Sequence, residues 1–362
     1  MKKTLYLFLL LSFLSLSNYH VWCQDLNYTQ YFNSQINVNP AFTGLTTGLK
    51  ARFLFRDQWP KLPVDLKSYY FSADIGDRNL PGAGGLGIIV LSDNPGYGLI
   101  NSLTLGITFA VNIPLNRFST FQVGIKAAML QKKINWNDLT FSDQLDKRLG
   151  AIYNSDFISP DAGKRIAPDF GAGGIFQFGN QEGTFSGNAG VAVDHLFKPD
   201  ISFFTTENSR IQRKWVIHGD FISMLSHGSG DPLKLEIGAL YQNQDKFNAL
   251  QFGLNLVKYN IYLGTWYKTT LSGSSPNNVL AIDAGFKYTF SDQMSIKFLY
   301  SYDIQVSGAL MGTGGAHEIS LVLDLANISL FGNGSGRGGK GGGYILPNRA
   351  HSNMSPLECS EF

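Results

Sequence analysis

Alternation of apolar and polar residues with a period of two dominates this chain. Between residues 67 and 76 the apolar set is Tyr69, Phe71, Ala73 and Ile75, interleaved with Ser68, Tyr70, Ser72 and Asp74. The same alternation returns at 233–242, 279–290, 296–303 and 318–325. Such a period puts every second side chain on one face of a β-strand. No stretch after residue 24 reaches the ~20 apolar residues that a membrane helix needs, so helical spanning is excluded.

Segments of this kind number about fourteen, which is an even number, as in bacterial outer-membrane barrels. They lie near residues 48–57, 67–75, 84–92, 99–113, 119–133, 168–179, 183–196, 213–226, 233–243, 247–258, 260–269, 279–290, 293–304 and 315–325. Their connections alternate between short ones, such as Pro114–Phe118, and long ones, such as Asn135–Ala167. Two connections break the alternation, because Asp77–Ala83 is long and Gln244–Lys246 is short. The pattern predicts an all-β fold, a transmembrane antiparallel β-barrel with short periplasmic turns and long outer loops.

A soluble β-sandwich or propeller is the alternative fold. Charged residues of both signs on the polar faces favour a barrel lumen over a sandwich core, although a sandwich's outer face would also accept them: Arg52, Arg56, Asp74, Lys126, Glu236, Asp283, Lys287 and Asp324. Aromatic residues near the strand ends, as in interfacial girdles, favour the barrel further: Phe53, Phe55, Trp59, Trp215, Trp266, Tyr267, Tyr288 and Phe290. The charged fraction of 15% also suits a chain with little water-exposed surface.

The two ends of the chain differ from the barrel. Residues 1–23 are typical of a signal peptide, because Lys2 and Lys3 precede an apolar stretch, and cleavage would fall between Cys23 and Gln24. Lipidation of Cys23 is the alternative. Residues 24–47 would form a mature N-terminal segment, 48–326 the barrel, and 327–362 a Gly-rich flexible tail that threads into the lumen or hangs in the periplasm.

Charge and cysteine content exclude several classes of partner and cofactor. Two of the 29 Lys and Arg residues fall in the predicted signal, which leaves 27 against 27 Asp and Glu, so a nucleic-acid partner is not indicated. The two cysteines lie at opposite extremes of the chain and offer neither a disulfide framework nor a metal cluster. Residues 334–340 imitate a phosphate-binding loop, but Gly341 stands where Ser or Thr would hold magnesium. We therefore expect no cofactor and no bound metal.

Several short motifs, spread over nearly the whole predicted barrel, resemble the PorP/SprF family of outer-membrane proteins. The motifs are Gln24-Asp25, Gln30-Tyr31-Phe32, Val38 to Gly44, Phe55 to Pro60, Ser68 to Asp74, Gly84 to Gly87 with Asp93, Tyr300 to Asp303, and Gly315 to Leu321. Asp57 departs from the family's usual Asn at its position. The resemblance implies a place in the type IX secretion system of Bacteroidota. There it implies action in secretion or surface attachment of cargo with a dedicated C-terminal domain, or export of motility adhesins in gliding species. It also implies association with other subunits of the machine.

Arg56, Asp57, Gln58, Trp59 and Pro60 form the candidate partner-binding or structural motif. Arg56 is expected to face the lumen, Trp59 to lie at the bilayer interface, and Pro60 to end the strand. The loop that follows would contact cargo or a partner subunit.

Two other functions remain open beside this non-enzymatic role. A passive porin is the first, although lumen charges such as Lys234 with Glu236 and Asp283 with Lys287 could pair and close the channel. A barrel hydrolase is the second, with candidate histidines His195, His218, His227, His317 and His351 and candidate acids Asp194 and Asp220. A Gly-x-Ser-x-Gly nucleophile motif is absent from the sequence, and His218 with Asp220 is also explained as a lumen hydrogen-bond pair.

Overall fold

The computed structural model describes most of the chain between Asn27 and Ile328. The described residues are 27–64, 66–77, 80, 84–96, 100–146, 148–157, 163–203, 209–225, 232–271, 277–307, 311–326 and 328. The predicted signal peptide, its cleavage site between Cys23 and Gln24, and nearly all of the predicted tail lie outside these residues.

Fourteen antiparallel strands form a closed barrel, and two short strands form a separate hairpin. The barrel strands are β1 Gly48–Gln58, β2 Leu66–Gly76, β3 Gly85–Pro95, β4 Asn101–Asn116, β5 Ser119–Lys133, β8 Lys164–Gly179, β9 Phe185–Asp194, β10 Lys214–Met224, β11 Lys234–Gln244, β12 Phe247–Lys258, β13 Ile261–Thr270, β14 Asn278–Ser291, β15 Met294–Ser307 and β16 Ala316–Leu325. The hairpin consists of β6 Leu145–Asp146 and β7 Gly150–Ala151.

Each barrel strand pairs with the barrel strands before and after it in the chain, and β1 closes the sheet on β16. In that closing pair Phe53 lies opposite Leu321, and Arg56 lies opposite Glu318. Closure satisfies the backbone groups that an open sheet would leave at its edges in lipid. The predicted fourteen-strand barrel is confirmed.

The two faces of the sheet differ as the period of two requires. Outward side chains are large and apolar, and on β4 the Ile107 side chain is 64% exposed. Inward side chains on the neighbouring positions are mostly buried, and many of them are polar or charged, including Arg52, Asp74 and Glu236. Among the residues that the structure describes, none of the helices is long and apolar enough to cross a membrane.

The connections sort to the two ends of the barrel. One end, called here the turn end, carries the two-residue connections Arg117–Phe118, Tyr259–Asn260 and Asp292–Gln293. Tyr259 and Asn260 both adopt positive φ angles, 51° and 64°, as a tight hairpin with the right twist requires. The opposite end, called the loop end, carries the long connection between β5 and β8 that contains the β6/β7 hairpin. The short Asp245–Lys246 turn also lies there.

Several strands extend further than the sequence predicts, and β4 and β8 are two examples. β4 continues through Pro114 to Asn116, so the predicted connection Pro114–Phe118 is wrong, and the sheet accommodates the proline beside a register shift between Pro114 and Asn116. β8 begins at Lys164 and not at 168, because its first residues pair with the end of β5.

A lysine at position 107 tests whether the outward face meets hydrocarbon. We expect Ile107→Lys to destabilise the folded barrel by about 2–4 kcal/mol in lipid, since the charge enters the middle of the apolar band. Urea unfolding in lipid vesicles measures this. Ile152→Lys in the loop between β5 and β8, where the side chain is also about half exposed, is the matched control and should leave stability unchanged.

Candidate functional site

The lumen of the barrel is filled by the segment that precedes β1. Residues 28–44, called here the plug, are buried almost throughout, and Thr29, Gln30, Ile36 and Ala41 have no exposed surface. The plug contains three short helical turns, Tyr31–Asn33, Gln35–Val38 and Pro40–Phe42. Its compact turns, and not strands, account for the loss of the two-residue period in this part of the sequence.

The plug crosses the lumen from the loop end to the turn end. Thr29 binds Arg56 and Glu318, each two residues from the loop end of its strand. Gly44 binds Asp74, two residues from the turn end of β2. The first described residues of the chain therefore lie near the loop end, although β1 starts at the turn end.

A cluster of charged and hydroxyl groups fixes the beginning of the plug to the wall. This anchor cluster consists of Thr29 of the plug and four wall residues, Arg56, Lys268, Asp303 and Glu318. The Thr29 hydroxyl donates to Asp303 Oδ1 at 2.7 Å and accepts from Arg56 Nη1 at 3.2 Å and Lys268 Nζ at 2.8 Å, so its whole hydrogen-bonding capacity is used. The Glu318 carboxylate accepts the Thr29 backbone N–H at 2.8 Å. Arg56 also lies 2.5 Å from Glu318 and 2.9 Å from Asp303.

Two cations and two anions thus balance in the interior of the barrel. Buried charges are tolerated only when they are paired and hydrogen-bonded. Gln30 extends the network, because its backbone N–H donates to Glu318 Oε2 at 2.8 Å and its amide donates to Ser301 at 3.0 Å. Asn33 adds a hydrogen bond to Ser320 at 2.7 Å.

Aromatic residues hold the next part of the plug. Tyr31 and Phe32 pack on Trp266 with ring centroids 5.5 Å and 5.1 Å apart, and the Tyr31 hydroxyl donates to Asp220 at 2.7 Å. Trp266 is fully buried and donates to Asp283 at 2.7 Å. Its prediction as a girdle residue is therefore wrong, because its position on β13 faces the lumen.

The plug packs against opposite walls of the barrel. Tyr31, Phe32 and Val38 join apolar residues from β9 to β15. Tyr28, Ile36, Ala41 and Phe42 join a second cluster with residues of β1, β2, β3 and β8. Contact on both sides leaves the helical turns no apolar face toward water.

The last part of the plug is fixed by Asn39 and Thr43. The Asn39 side chain accepts the Ala41 N–H at 3.0 Å and donates to the carbonyl of Gly174 at 3.2 Å. It also lies 3.1 Å from His218 Nε2, while Phe42 packs on the His218 ring. The carbonyl of Thr43 accepts from Gln122 at 2.8 Å.

Glycines in the wall make room for the plug. A Cβ at Gly124 would collide with the backbone of Pro40 and Ala41, and one at Gly173 would collide with the Asn39 side chain. A Cβ at Gly238 would collide with the Tyr31 hydroxyl. The backbone of the barrel is therefore shaped to this segment.

Most of the predicted lumen charges are buried, whereas Lys287 and Asp324 are partly exposed. The ion pairs shown join strands that are adjacent or one strand apart in the sheet. Arg52 pairs with Asp74, and Lys126 lies 2.5 Å from Asp194. The latter belongs to a second polar cluster in which His195 Nδ1 lies 2.9 Å from Asp169 and Lys214 lies 3.4 Å from Asp194. The predicted combinations of Lys234 with Glu236 and of Asp283 with Lys287 stay predictions.

The candidate histidines are dispersed. His218 Nδ1 lies 4.0 Å from Asp220, beyond hydrogen-bond distance, and both residues bind the plug. His317 Nδ1 lies 2.7 Å from the Tyr300 hydroxyl, toward the outside of β16. His227, His351 and the glycine-rich 334–340 loop lie outside the described residues.

The side chains of the Arg56–Pro60 motif lie on different faces of the barrel wall. Arg56 enters the anchor cluster, and Gln58 accepts from Arg56 Nε at 3.3 Å. Asp57 lies on the opposite face of β1, across from His317 and Lys67. Trp59 follows β1 at the loop end with φ 56° and donates its N–H to Gly315 at 2.7 Å.

Motifs far apart in the sequence therefore meet around the plug. A family model described as type IX secretion system membrane protein PorP/SprF matches residues 22–323. The chain belongs to the PorP/SprF family. The family membership that the short motifs indicate is confirmed over most of the chain.

The closed barrel with its apolar exterior and the PorP/SprF membership place the protein in the outer membrane. Membership also makes it a membrane component of the type IX secretion system that interacts with other components of that system. No curated protein matches the sequence.

Solved barrels resemble this one at low identity. An outer-membrane channel from Pseudomonas putida F1 is 10% identical, with 78% of this chain and 97% of that one covered and a TM-score of 0.36. The Pseudomonas putida toluene transporter TodX is 10% identical, with coverages of 80% and 92% and a TM-score of 0.42. CdiB from Acinetobacter baumannii is 9% identical, with coverages of 77% and 60% and a TM-score of 0.43. These values support no statement about function.

Sequence reasoning missed the plug and most of its partners. The strand period places Lys268, Asp303 and Glu318 on inward positions, but it does not bring them together. The available signal was the density of amide, hydroxyl and aromatic residues in 28–44 without any strand period. That composition is unusual for a linker and fits a segment buried among polar walls.

Loss of one anchor charge should loosen the plug. We expect Glu318→Gln to weaken plug docking by about 3 kcal/mol, since Arg56 and Lys268 then share one buried carboxylate. Planar-bilayer recordings should show channel openings for Glu318→Gln and closed wild-type protein. Asp292→Asn, at an exposed turn carboxylate, is the control and should stay closed. A silent Glu318→Gln barrel would contradict the anchoring role.

The path of the plug predicts where the start of the mature chain is accessible. If the loop end faces outside, Asn27→Cys in a Cys359→Ser background should react with a membrane-impermeant maleimide on intact cells. Thr47→Cys, at the turn end of the same segment, should react only after the outer membrane is permeabilised. The reverse pattern of labelling would invert the orientation of the barrel.

Proposed function

We propose that this protein is a plugged, non-enzymatic barrel that acts in secretion or surface attachment of cargo by the type IX system. It binds the cargo's C-terminal domain, or partner subunits, at its loop end. The single observation that carries the proposal is the filled lumen. The barrel wall fits the chain's own N-terminal segment. This fit favours a role as a scaffold and docking platform over a role as a passive porin.

The loop end offers an ordered surface for such a role. Trp59 N–H binds Gly315 at 2.7 Å and Lys61 N–H binds Thr313 at 3.1 Å, so the loops after β1 and before β16 form one unit. This unit lies directly above the anchor cluster, because Arg56 and Glu318 belong to the same two strands. A partner bound there would touch the strands that hold the plug.

The connection between β5 and β8 adds a second ordered surface at this end. Trp136, Phe141 and Phe157 form a small aromatic core, with the Phe141 and Phe157 centroids 4.4 Å apart. The Ser155 hydroxyl and the Asp156 N–H hold the pKa of Asp143 below its usual value. The apolar side chains Leu149, Ile152 and Tyr153 are exposed above this core. Exposed apolar groups on a fixed backbone are typical of protein docking sites.

Catalysis has weaker support. The His195 and Asp169 pair is buried. It belongs to a cluster of charged wall residues with Lys126, Asp194 and Lys214. An ion-paired wall explains the same residues.

Replacement of Trp59 tests the role of the loop end. In the native bacterium, Trp59→Ala should leave barrel abundance normal and reduce surface cargo severalfold, because the rim loses its aromatic contact. Immunolabelling of intact cells measures the cargo, and co-purification from the outer membrane measures bound subunits. Trp215→Ala, at an exposed tryptophan on β10 near the loop end, is the control. Normal cargo display and normal co-purification in Trp59→Ala would refute this docking site.

A further inference from the structure

The turn that follows β9 displays a phenylalanine on the outer surface of the barrel. This turn, residues 195–198, is called here the Phe197 turn. Phe197 is 75% exposed, more than any other large hydrophobic side chain among the residues that the structure describes. Its ring meets the Phe170 ring edge-on, with the centroids 5.6 Å apart. Phe170 lies on the outward row of β8, since it is exposed while its neighbour Asp169 is buried, so the Phe197 ring lies outside the wall.

The backbone holds this ring in a fixed position. His195 and Lys198 both adopt positive φ angles, 56° and 50°, and the Lys198 N–H donates to the His195 carbonyl at 3.0 Å. The Leu196 N–H donates to the Phe170 carbonyl at 3.0 Å, which ties the turn to β8. Positive φ angles are uncommon outside glycine and cost free energy. Strain and an exposed ring at the same place point to a function of the ring.

A guanidinium group lies against the same turn. Arg213, the residue before β10, is exposed and donates from Nε to the Leu196 carbonyl at 2.8 Å. Lys198, two residues beyond Leu196, is half-buried. The Asp200 carboxylate accepts the Ser202 N–H at 2.9 Å, within the loop itself. Cationic groups and an aromatic ring therefore meet on one exposed turn.

The Phe197 turn lies at the loop-end border of the apolar band. Val191 on β9 and Ile217 on β10 lie opposite each other on the outer wall, and both are about half exposed. His195 follows Val191 by four residues, which is about 13 Å along the strand. At this depth aromatic rings enter the headgroup region and cations meet lipid phosphates. Long loops of outer-membrane barrels face outside, which puts the turn in the outer leaflet.

We propose that the Phe197 turn binds a phosphate-bearing lipid headgroup of the outer leaflet. Arg213 and Lys198 hold the phosphate, and the Phe197 ring enters the acyl-chain boundary beside it. A guanidinium suits this ligand, because its N–H donors match phosphate oxygens in pairs. A lipid also accounts for the exposed ring, since the ring leaves water when the barrel is in a bilayer, whereas a free anion would leave it exposed. The site is independent of cargo docking at the loop end.

Binding of lipid A to the full mature protein in detergent tests the site without cargo. The probe is fluorescently labelled lipid A in micelles of a non-ionic detergent, followed by anisotropy. We expect Arg213→Gln to weaken binding roughly tenfold, because a charged donor is lost while an amide remains to bind the Leu196 carbonyl. Phe197→Ser should weaken binding by a similar factor, since the apolar contact is lost. Phe197→Tyr should retain most of the affinity.

Two variants at the other end of the barrel are matched controls. Phe290→Ser removes an exposed ring near the turn end of β14, and Arg117→Gln removes an exposed arginine between β4 and β5. Both should bind lipid A like the wild type. Heat-resistant migration in gel electrophoresis checks that every variant is a folded barrel.

Three outcomes would overturn the proposal. The first is absence of lipid A binding by the wild type. The second is equal affinity for the wild type and the folded variants Arg213→Gln and Phe197→Ser; loss of co-purifying subunits in Phe197→Ser would then assign the turn to a protein partner. The third is displacement of lipid A by inorganic phosphate alone, which would assign the turn to a free anion. The lipid measurements involve neither cargo nor Trp59, so the two proposals fail separately.

Discussion

Burial of opposite charges around a single threonine is the constraint on which the rest of this structure depends. Arg56, Lys268, Asp303 and Glu318 lie in the lumen at distances of 2.5–3.2 Å from their partners. Charges buried this deeply are tolerated only when each is neutralised and hydrogen-bonded. The Thr29 hydroxyl and two successive backbone N–H groups complete the coordination. The N-terminal segment is therefore part of the electrostatic balance of the wall.

Polar and apolar contacts to the wall alternate along the plug. Ion pairs hold its beginning, stacked aromatic rings hold its next turn, and amide groups hold its end. The ion pairs are buried and hardly screened by salt, and the packed rings do not depend on charge. A partner that opens the lumen must therefore compete with all three kinds of contact. This combination suits a scaffold that stays closed in an outer membrane.

The barrel could be predicted from the sequence, and the interior arrangement could not. A period of two is a local signal, and segments such as 279–290 carry it in consecutive side chains. Arg56 was predicted on the inward face by the same rule, and the structure confirms this position. Trp266 was misassigned, because an aromatic residue near a strand end looks the same in sequence whether it faces lipid or a plug. The contact between Thr29 and Glu318 spans 289 residues and has no local signature.

The closing pair of strands and the anchor of the plug are the same place in the molecule. β1 and β16 meet only when the two ends of the sheet come together, and the Arg56–Glu318 ion pair bridges them across 262 residues of chain. Thr29 and Gln30 bind Glu318 from the inside. Chain closure over such a separation is entropically costly and slow. Because the same Glu318 carboxylate binds Arg56 across the seam and the backbone of the N-terminal segment, docking of that segment and closure of the sheet stabilise each other.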